Sequence, residues 1–260
     1  MKNHKMKVAL LLAATMMVGS ANVYAANTAG TTKKTTTVVA STQAEKSYEE
    51  RINELSSKLK PGQFVAYYVA DEEYNEQDEI YFTSSGLVYT KYTDYLAKAK
   101  AMNAPTLKQP SALPKGYKLK NSILYLKSPE ITSSQYEKLD QELKAKAANG
   151  NKKFVYSETM QSKEASAAVL MFEKGKEKLE LVASYIYPAP PAGGVFVPFE
   201  KPNEKKETIV INGVECVYTA DSKGRDHLDW VDEEQQIRYS IWAEDAKSDV
   251  LSFAKGLLAK

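Results

Sequence analysis

The feature that most constrains this fold is a series of short segments, rich in β-branched and aromatic residues, in the second half of the chain. The segments with the composition of strands are residues 154–160, 167–172, 179–187, 208–211, 214–218, 227–231 and 237–242. Asn212-Gly213 separates two of them, and both residues tolerate the positive φ angles of a type I′ turn. Lys174-Gly175-Lys176 predicts a second hairpin. Short turns between neighbouring strands predict a mostly antiparallel sheet.

Helix signals surround these strands. Residues 47–50 fit a capping box, and Pro61-Gly62 ends the helix that follows. Residues 132–135 repeat the pattern, with Gly150 as the C-terminal cap. Further caps are predicted at Asp94, for a short helix through Met102, and at Ser248, for a closing helix. The class is therefore α+β: mostly antiparallel sheet packed with short helices, including an N-terminal and a C-terminal helix.

A proline-rich segment divides the ordered part of the chain. Residues 104–116 hold three prolines and predict an extended connector. We expect an N-terminal α+β subdomain at 46–103, with strands at 63–70, 80–83 and 87–90. A C-terminal α+β domain is expected at 117–260.

The N-terminus has the pattern of a cleavable secretory signal over residues 1–25. Three lysines precede an apolar stretch at 8–18, and small residues at 23 and 25 predict cleavage after Ala25. The stretch is shorter than the roughly 20 residues that span a membrane. Residues 26–45 are Thr-rich and predict a flexible spacer. We therefore expect a secreted bacterial protein without a membrane span after cleavage.

Cleavage changes the charge of the protein. Because residues 1–25 carry three lysines and no acid, their loss takes the net charge from +2 to −1. A near-neutral chain lacks the basic surface of a nucleic-acid binder, so no nucleic-acid partner is expected. The single cysteine, Cys216, lies in an apolar strand segment, which predicts a small buried side chain without a disulfide.

Few residues suggest chemistry. His227, the one histidine outside the signal, lies between Asp226 and Asp229. Strand alternation places His227 and Asp229 on one face, with Leu228 and Trp230 on the other. A surface ion pair beside a core strand explains this arrangement as well as a catalytic acid–base pair does. Two acidic clusters, within 71–79 and 221–232, lack the ligand alternation of a calcium loop. No catalytic residue, metal site or cofactor is predicted.

Tyrosine is abundant, with 17 residues against 7 phenylalanines. A tyrosine offers an apolar ring and a polar hydroxyl, which suits half-buried strands and binding surfaces alike. The candidate binding residues are Tyr67, Tyr81, Tyr89, Tyr92, Phe196, Phe199 and Trp242. The alternative is that the tyrosines only complete a sheet.

Several phrases resemble a known family. Leu113 to Tyr117 (LPKGY), Ile211 to Val214 (INGV), Leu228 to Trp230 (LDW), Ile237 to Ile241 (IRYSI) and a closing helix resemble the domain of unknown function 4367 family over about 109–258. The resemblance implies an extracytoplasmic domain of Gram-positive bacteria with a regulatory or envelope role, and it implies no catalytic residues.

The expected function is that of a secreted, non-catalytic binding or regulatory domain at the cell envelope. Its partner would be an envelope component or a protein. One alternative is a carrier or chaperone for an apolar ligand or a lipoprotein-like partner. A second alternative is a cell-wall hydrolase, in which acids distant in sequence meet in space.

Overall fold

The computed structural model describes residues 46–186, 205–220, 225–244 and 246–259. The predicted signal and spacer, and the candidates Phe196 and Phe199, lie outside these ranges. Within them, no helix is long and apolar enough to cross a membrane.

Helices and antiparallel strands make up the described chain, which confirms the α+β class. The helices are α1 (Tyr48–Ser57), α2 (Tyr92–Ala101), α3 (Ser134–Gly150) and α4 (Lys247–Leu257). The strands are β1 (Gln63–Val69), β2 (Tyr81–Ser84), β3 (Leu87–Tyr89), β4 (Lys118–Leu126), β5 (Phe154–Tyr156), β6 (Met160–Gln161), β7 (Ala165–Lys174), β8 (Glu177–Tyr185), β9 (Lys205–Ile211), β10 (Val214–Ala220), β11 (Arg225–Asp232) and β12 (Ile237–Glu244).

The larger sheet has eight strands in the order β3-β4-β7-β8-β12-β11-β10-β9, all antiparallel. The two predicted hairpins are confirmed. Asn212 and Gly213 have φ angles of 51° and 87° between β9 and β10, and Gly175 has a φ of 64° between β7 and β8. Positive φ at these positions gives the turn the same twist as the strands it joins.

One face of the larger sheet is covered by α2 and α4. Both helices add buried side chains to the main core, among them Tyr95 and Phe253. Buried residues of β4, β7, β8, β11 and β12 belong to the same core. The rings of Phe253 and Phe172 pack edge to face with their centroids 5.0 Å apart. The core therefore lies between this face and the two helices.

The smaller sheet has β1 at its centre, with β2 on one side and β5 and β6 on the other. Alternate residues of β1 pack against α1 on one face and α3 on the opposite face. Tyr67 pairs with Tyr156 and Phe64 with Met160, so three residues, 157–159, lie opposite two of β1. This β-bulge joins β5 and β6 into one kinked edge strand.

The sheets do not follow the predicted division at 104–116. β3, from the expected subdomain 46–103, pairs with β4 in the larger sheet, while β5 and β6, from 117–260, pair with β1. The connector is also packed. Leu107 is 1% exposed, and its N–H donates to the Tyr95 hydroxyl at 3.0 Å. The two halves of the chain therefore contribute to both sheets.

The sequence predicts the presence of the four helices more accurately than the residues at which they begin and end. The capping box at Ser47 and Glu50 is confirmed. In α3 the cap is Ser133 rather than Thr132, and the left-handed residue after the helix is Asn151. α2 and α4 begin before Asp94 and Ser248, so both of those predicted caps are wrong. Polar residues in a first helical turn resemble caps in sequence, and the surrounding packing sets the boundary.

Candidate binding surface

The face of the larger sheet opposite α2 and α4 carries a connected set of polar and aromatic side chains in the described part of the chain. We call it the helix-free face, because the described helices that contact this sheet pack on its other side. Three rows of cross-strand neighbours define it. They are Asn121–Met171–Glu180–Trp242–His227–Thr219–Lys206, Ile123–Val169–Val182–Ser240–Asp229–Val217–Thr208 and Tyr125–Ala167–Ser184–Arg238–Val231.

Asp229 is the centre of the polar part of this face. Its Oδ1 accepts from Arg238 Nε at 3.2 Å and Nη2 at 3.0 Å, and from the hydroxyl of Ser240. Its Oδ2 lies 3.3 Å from Nε2 of His227. The side chains of Asp229, His227 and Arg238 are 14%, 16% and 18% exposed. A carboxylate with this many partners on its own strand and on β12 is held in one position.

His227 also packs against Trp242. The imidazole and indole rings are stacked, with centroids 4.3 Å apart and planes 19° from parallel. The two residues are direct cross-strand neighbours on β11 and β12, a position in which side chains interact most strongly. On the other side of Trp242 in the same row lies Glu180. Burial raises the pKa of the Glu180 carboxyl above its ordinary value.

Strand alternation explains this arrangement. Along β11, Asp226, Leu228 and Trp230 are buried, and His227 and Asp229 between them are half-buried. The sequence prediction that His227 and Asp229 share one face, opposite Leu228 and Trp230, is therefore confirmed. Of the acidic residues predicted at 221–232, Asp221 lies outside the described ranges. Asp226 faces α4 while Asp229 lies on the helix-free face, so these two do not share a cluster.

The tyrosine candidates are not brought together with Trp242. Tyr67 is 9% exposed and packs beneath α1, which corrects its proposed role as an exposed binding residue. Tyr81 is half-buried and stacks on Tyr67, with its hydroxyl donated to Asn75. Both residues lie on the smaller sheet.

Tyr89 and Tyr92 lie beside the main core, on the helix-covered side of the larger sheet. The Tyr92 hydroxyl donates to the Leu107 carbonyl at 2.8 Å and accepts from the Gln109 N–H at 3.1 Å, so it fixes the connector. Of the predicted binding residues, only Trp242 among the described ones lies on the helix-free face.

Cys216 is fully buried, as the sequence predicts, and burial raises the pKa of its thiol to about 11. The thiolate that reacts with electrophiles is therefore disfavoured.

In the acidic segment 71–79, the Asp78 carboxylate contacts the Lys144 ammonium and the Tyr68 hydroxyl. The described residues contain no group of three or more His, Cys, Asp or Glu side chains placed to hold a metal ion.

Two clefts flank the bulged edge of the smaller sheet. One of about 380 Å³ lies between α1 and residues 156–159. One of about 230 Å³ lies between α3 and residues 156–158 and 160. Lys146 and Glu158 line both, and Lys146 donates to the Tyr156 carbonyl at 2.8 Å. Lys58, Lys146 and Glu158 make the walls of the larger cleft charged, which suits an apolar ligand poorly.

Sequence reasoning missed Arg238 and Ser240 as members of the site. Their approach to Asp229 depends on the register of β11 with β12, in which Asp229 pairs with Ser240. The strands and the turn at residues 232–235 were predicted. Counting outward from the predicted turn places Asp229 opposite Arg238, whereas the turn in the structure spans residues 233–236 and places it opposite Ser240.

Comparison of the chain with protein-family models, with curated proteins and with solved structures finds no match.

Proposed function

We propose that this protein is a secreted, non-catalytic binding or regulatory domain that acts at the cell envelope through the helix-free face. The secretory pattern of residues 1–25 and the resemblance to the domain of unknown function 4367 family support the location. The observation that carries the binding role is the cluster of Asp229, Arg238, Ser240, His227 and Trp242 on a face that the described helices leave uncovered.

The fold does not require such a cluster. An antiparallel sheet can turn one face toward water with simple polar side chains, and a charged network there costs desolvation. Side chains that are already fixed lose less entropy when a partner binds, so pre-organised polar groups favour binding. Arginine and tryptophan are also the side chains most enriched at the centres of protein interfaces. The cluster therefore supports recognition of a polar or charged envelope component.

The order of contacts favours binding over hydrolysis by a serine nucleophile. In a catalytic triad, histidine stands between the serine and the carboxylate and takes the serine proton. Here Ser240 and His227 both contact Asp229, which stands between them. This arrangement therefore does not place His227 to take the proton of Ser240. The charged walls of the larger cleft similarly favour binding over the carrier alternative.

The test uses the chain from residue 26 onward and purified cell-wall polymer from a Gram-positive bacterium. We expect the protein to co-sediment with the polymer, and Arg238→Gln and Trp242→Ala to weaken retention about tenfold each. Tyr156→Ala, which removes a 48% exposed ring on the other sheet, is the matched control and should bind normally.

Trp242→Phe keeps an aromatic ring on β12. It tests whether weaker retention of Trp242→Ala comes from misfolding. Absence of retention of the wild-type protein, or equal retention of every variant, would contradict the proposed role of the helix-free face. Release of soluble wall fragments by the wild-type protein would favour the hydrolase instead.

A further inference from the structure

Strand β9 forms one edge of the larger sheet. All seven of its residues pair with β10 on one side, and no described strand pairs with its other side. The strand contains no proline, and most of its residues are exposed. Val210 is 69% exposed, the most exposed of the large apolar side chains described. A long edge strand without proline is a template for pairing with another chain.

The turn fixes which residues offer their backbone to that edge. Ile211 and Val214 flank the two-residue turn, and this position is a hydrogen-bonded pair in a type I′ hairpin. Because hydrogen-bonded and non-hydrogen-bonded pairs alternate, every second residue of β9 counted from Ile211 bonds to β10. Lys206, Thr208 and Val210 therefore direct their N–H and C=O groups outward.

We propose that β9 pairs antiparallel with β9 of a second copy of the chain, about a two-fold axis at Thr208. Thr208 is the middle residue of β9, so this register overlaps all seven residues of both strands. It also brings outward-directed residues together, Thr208 with Thr208 and Lys206 with Val210, as backbone bonding requires. The two copies would join their larger sheets into one.

Charge selects the same register. An axis at Lys206 or Glu207 would place like charges directly opposite each other, which destabilises a strand pair. An axis at Ile209 or Val210 would move the paired region into the turn, so that fewer residues of the two strands would pair. With the axis at Thr208, Lys206 lies opposite Val210 of the partner subunit, and its aliphatic stem covers that exposed valine. A central Thr–Thr pair adds a favourable contact.

A second copy is favoured over an unrelated peptide because β9 is complementary to itself at its full length. A two-fold axis perpendicular to the sheet also keeps both helix-free faces on the same side. Two linked copies of one binding surface would engage a repeating polymer with higher avidity than one copy. The pairing itself does not depend on what the helix-free face binds.

One strand pair buries less surface than the roughly 1,600 Å² of a standard stable interface, so the dimer is expected to be weak and concentration-dependent. Sedimentation velocity of the chain from residue 26 onward, from about 10 μM to about 1 mM, spans the affinity range of such contacts. Val210→Lys places an ammonium opposite Lys206 of the partner subunit and should weaken association at least tenfold. Lys206→Glu combined with Val210→Lys replaces that repulsion by attraction and should restore it.

Val88→Lys is the matched control, since Val88 is 60% exposed on β3 at the opposite edge of the same sheet. Thermal unfolding of each variant confirms that the fold is kept. Loss of association in Val210→Lys with recovery in the double variant supports the proposed register. A wild-type protein that stays monomeric at every concentration overturns the proposal. The proposal is also overturned if Val210→Lys does not weaken association, if the double variant does not restore it, or if Val88→Lys weakens it to the same extent.

Discussion

The carboxylate of Asp226 accepts a hydrogen bond from the backbone N–H of Ala246, with 2.8 Å between Oδ2 and the nitrogen. Ala246 precedes α4, a helix that has no side-chain N-cap of its own. The other oxygen of Asp226 accepts from the Tyr218 hydroxyl at 2.6 Å. One buried carboxylate thus links β10, β11 and the start of α4.

Asp226→Ala should destabilise the protein by about 2–4 kcal/mol, because it leaves a buried hydroxyl and a helix N-terminal N–H without an acceptor. Tyr218→Phe removes one donor and leaves the other bond, so it should cost about 1–2 kcal/mol. Urea unfolding measures both variants and the double variant. Equal stability of Asp226→Ala and wild type would show that Asp226 does not fix α4.

Glu180→Gln should make stability less dependent on pH. Burial raises the pKa of Glu180, so the folded protein holds this proton more tightly than the unfolded chain. The resulting stabilisation is complete below the unfolded pKa and is lost as pH rises through the folded pKa. The variant should match wild type near pH 4 and be more stable than wild type at pH 7.

Urea unfolding at both pH values tests the role of Glu180. Glu215→Gln is the control, because Glu215 is an exposed carboxylate on β10 of the same sheet. A variant that is less stable than wild type at pH 7 would contradict the expected sign.

Gly256→Ala should destabilise α4. A Cβ at this position would lie 2.5 Å from the Ala112 carbonyl oxygen, closer than such atoms approach without a shift of the backbone. The expected cost is about 1–3 kcal/mol, although alanine normally favours a helix over glycine. At Gly150 in α3 a Cβ would meet only the Lys152 side chain, at 3.4 Å. Gly150→Ala should therefore be neutral or stabilising, and equal effects at both positions by thermal unfolding would contradict the close approach.

Asn75→Ala should loosen the loop between β1 and β2. The buried amide of Asn75 donates to the carbonyls of Val69 and Glu79 and accepts from the Glu79 N–H and the Tyr81 hydroxyl. Its loss should cost about 2–3 kcal/mol and speed amide hydrogen exchange at 71–80. Tyr81→Phe removes only one of these bonds and should have a smaller effect. Unchanged exchange in Asn75→Ala would contradict the role.

The local features of the helix-free face could be predicted, but its assembly could not. Alternation along residues 227–231 correctly predicts His227 and Asp229 on one side. The sequence does not show that Arg238 and Ser240 converge on Asp229, because this depends on which residues of two strands lie opposite each other. For the tyrosines, residue type alone does not predict which side chains are exposed. Tyr67 has the residue type of a binding surface, and packing beneath α1 decides that it is buried.

The amino-acid sequence by itself determines the elements and their class: the strands with their two-residue turns, the capping box at Ser47 and the burial of Cys216. These follow from interactions within a few residues, such as the positive φ tolerated by Asn212-Gly213. The tertiary structure alone decides the strand order, the exchange of strands between the two halves of the chain and the packing of the connector on Tyr95 and Gly256. Those depend on contacts between residues far apart in the chain, whose pairing no local pattern specifies.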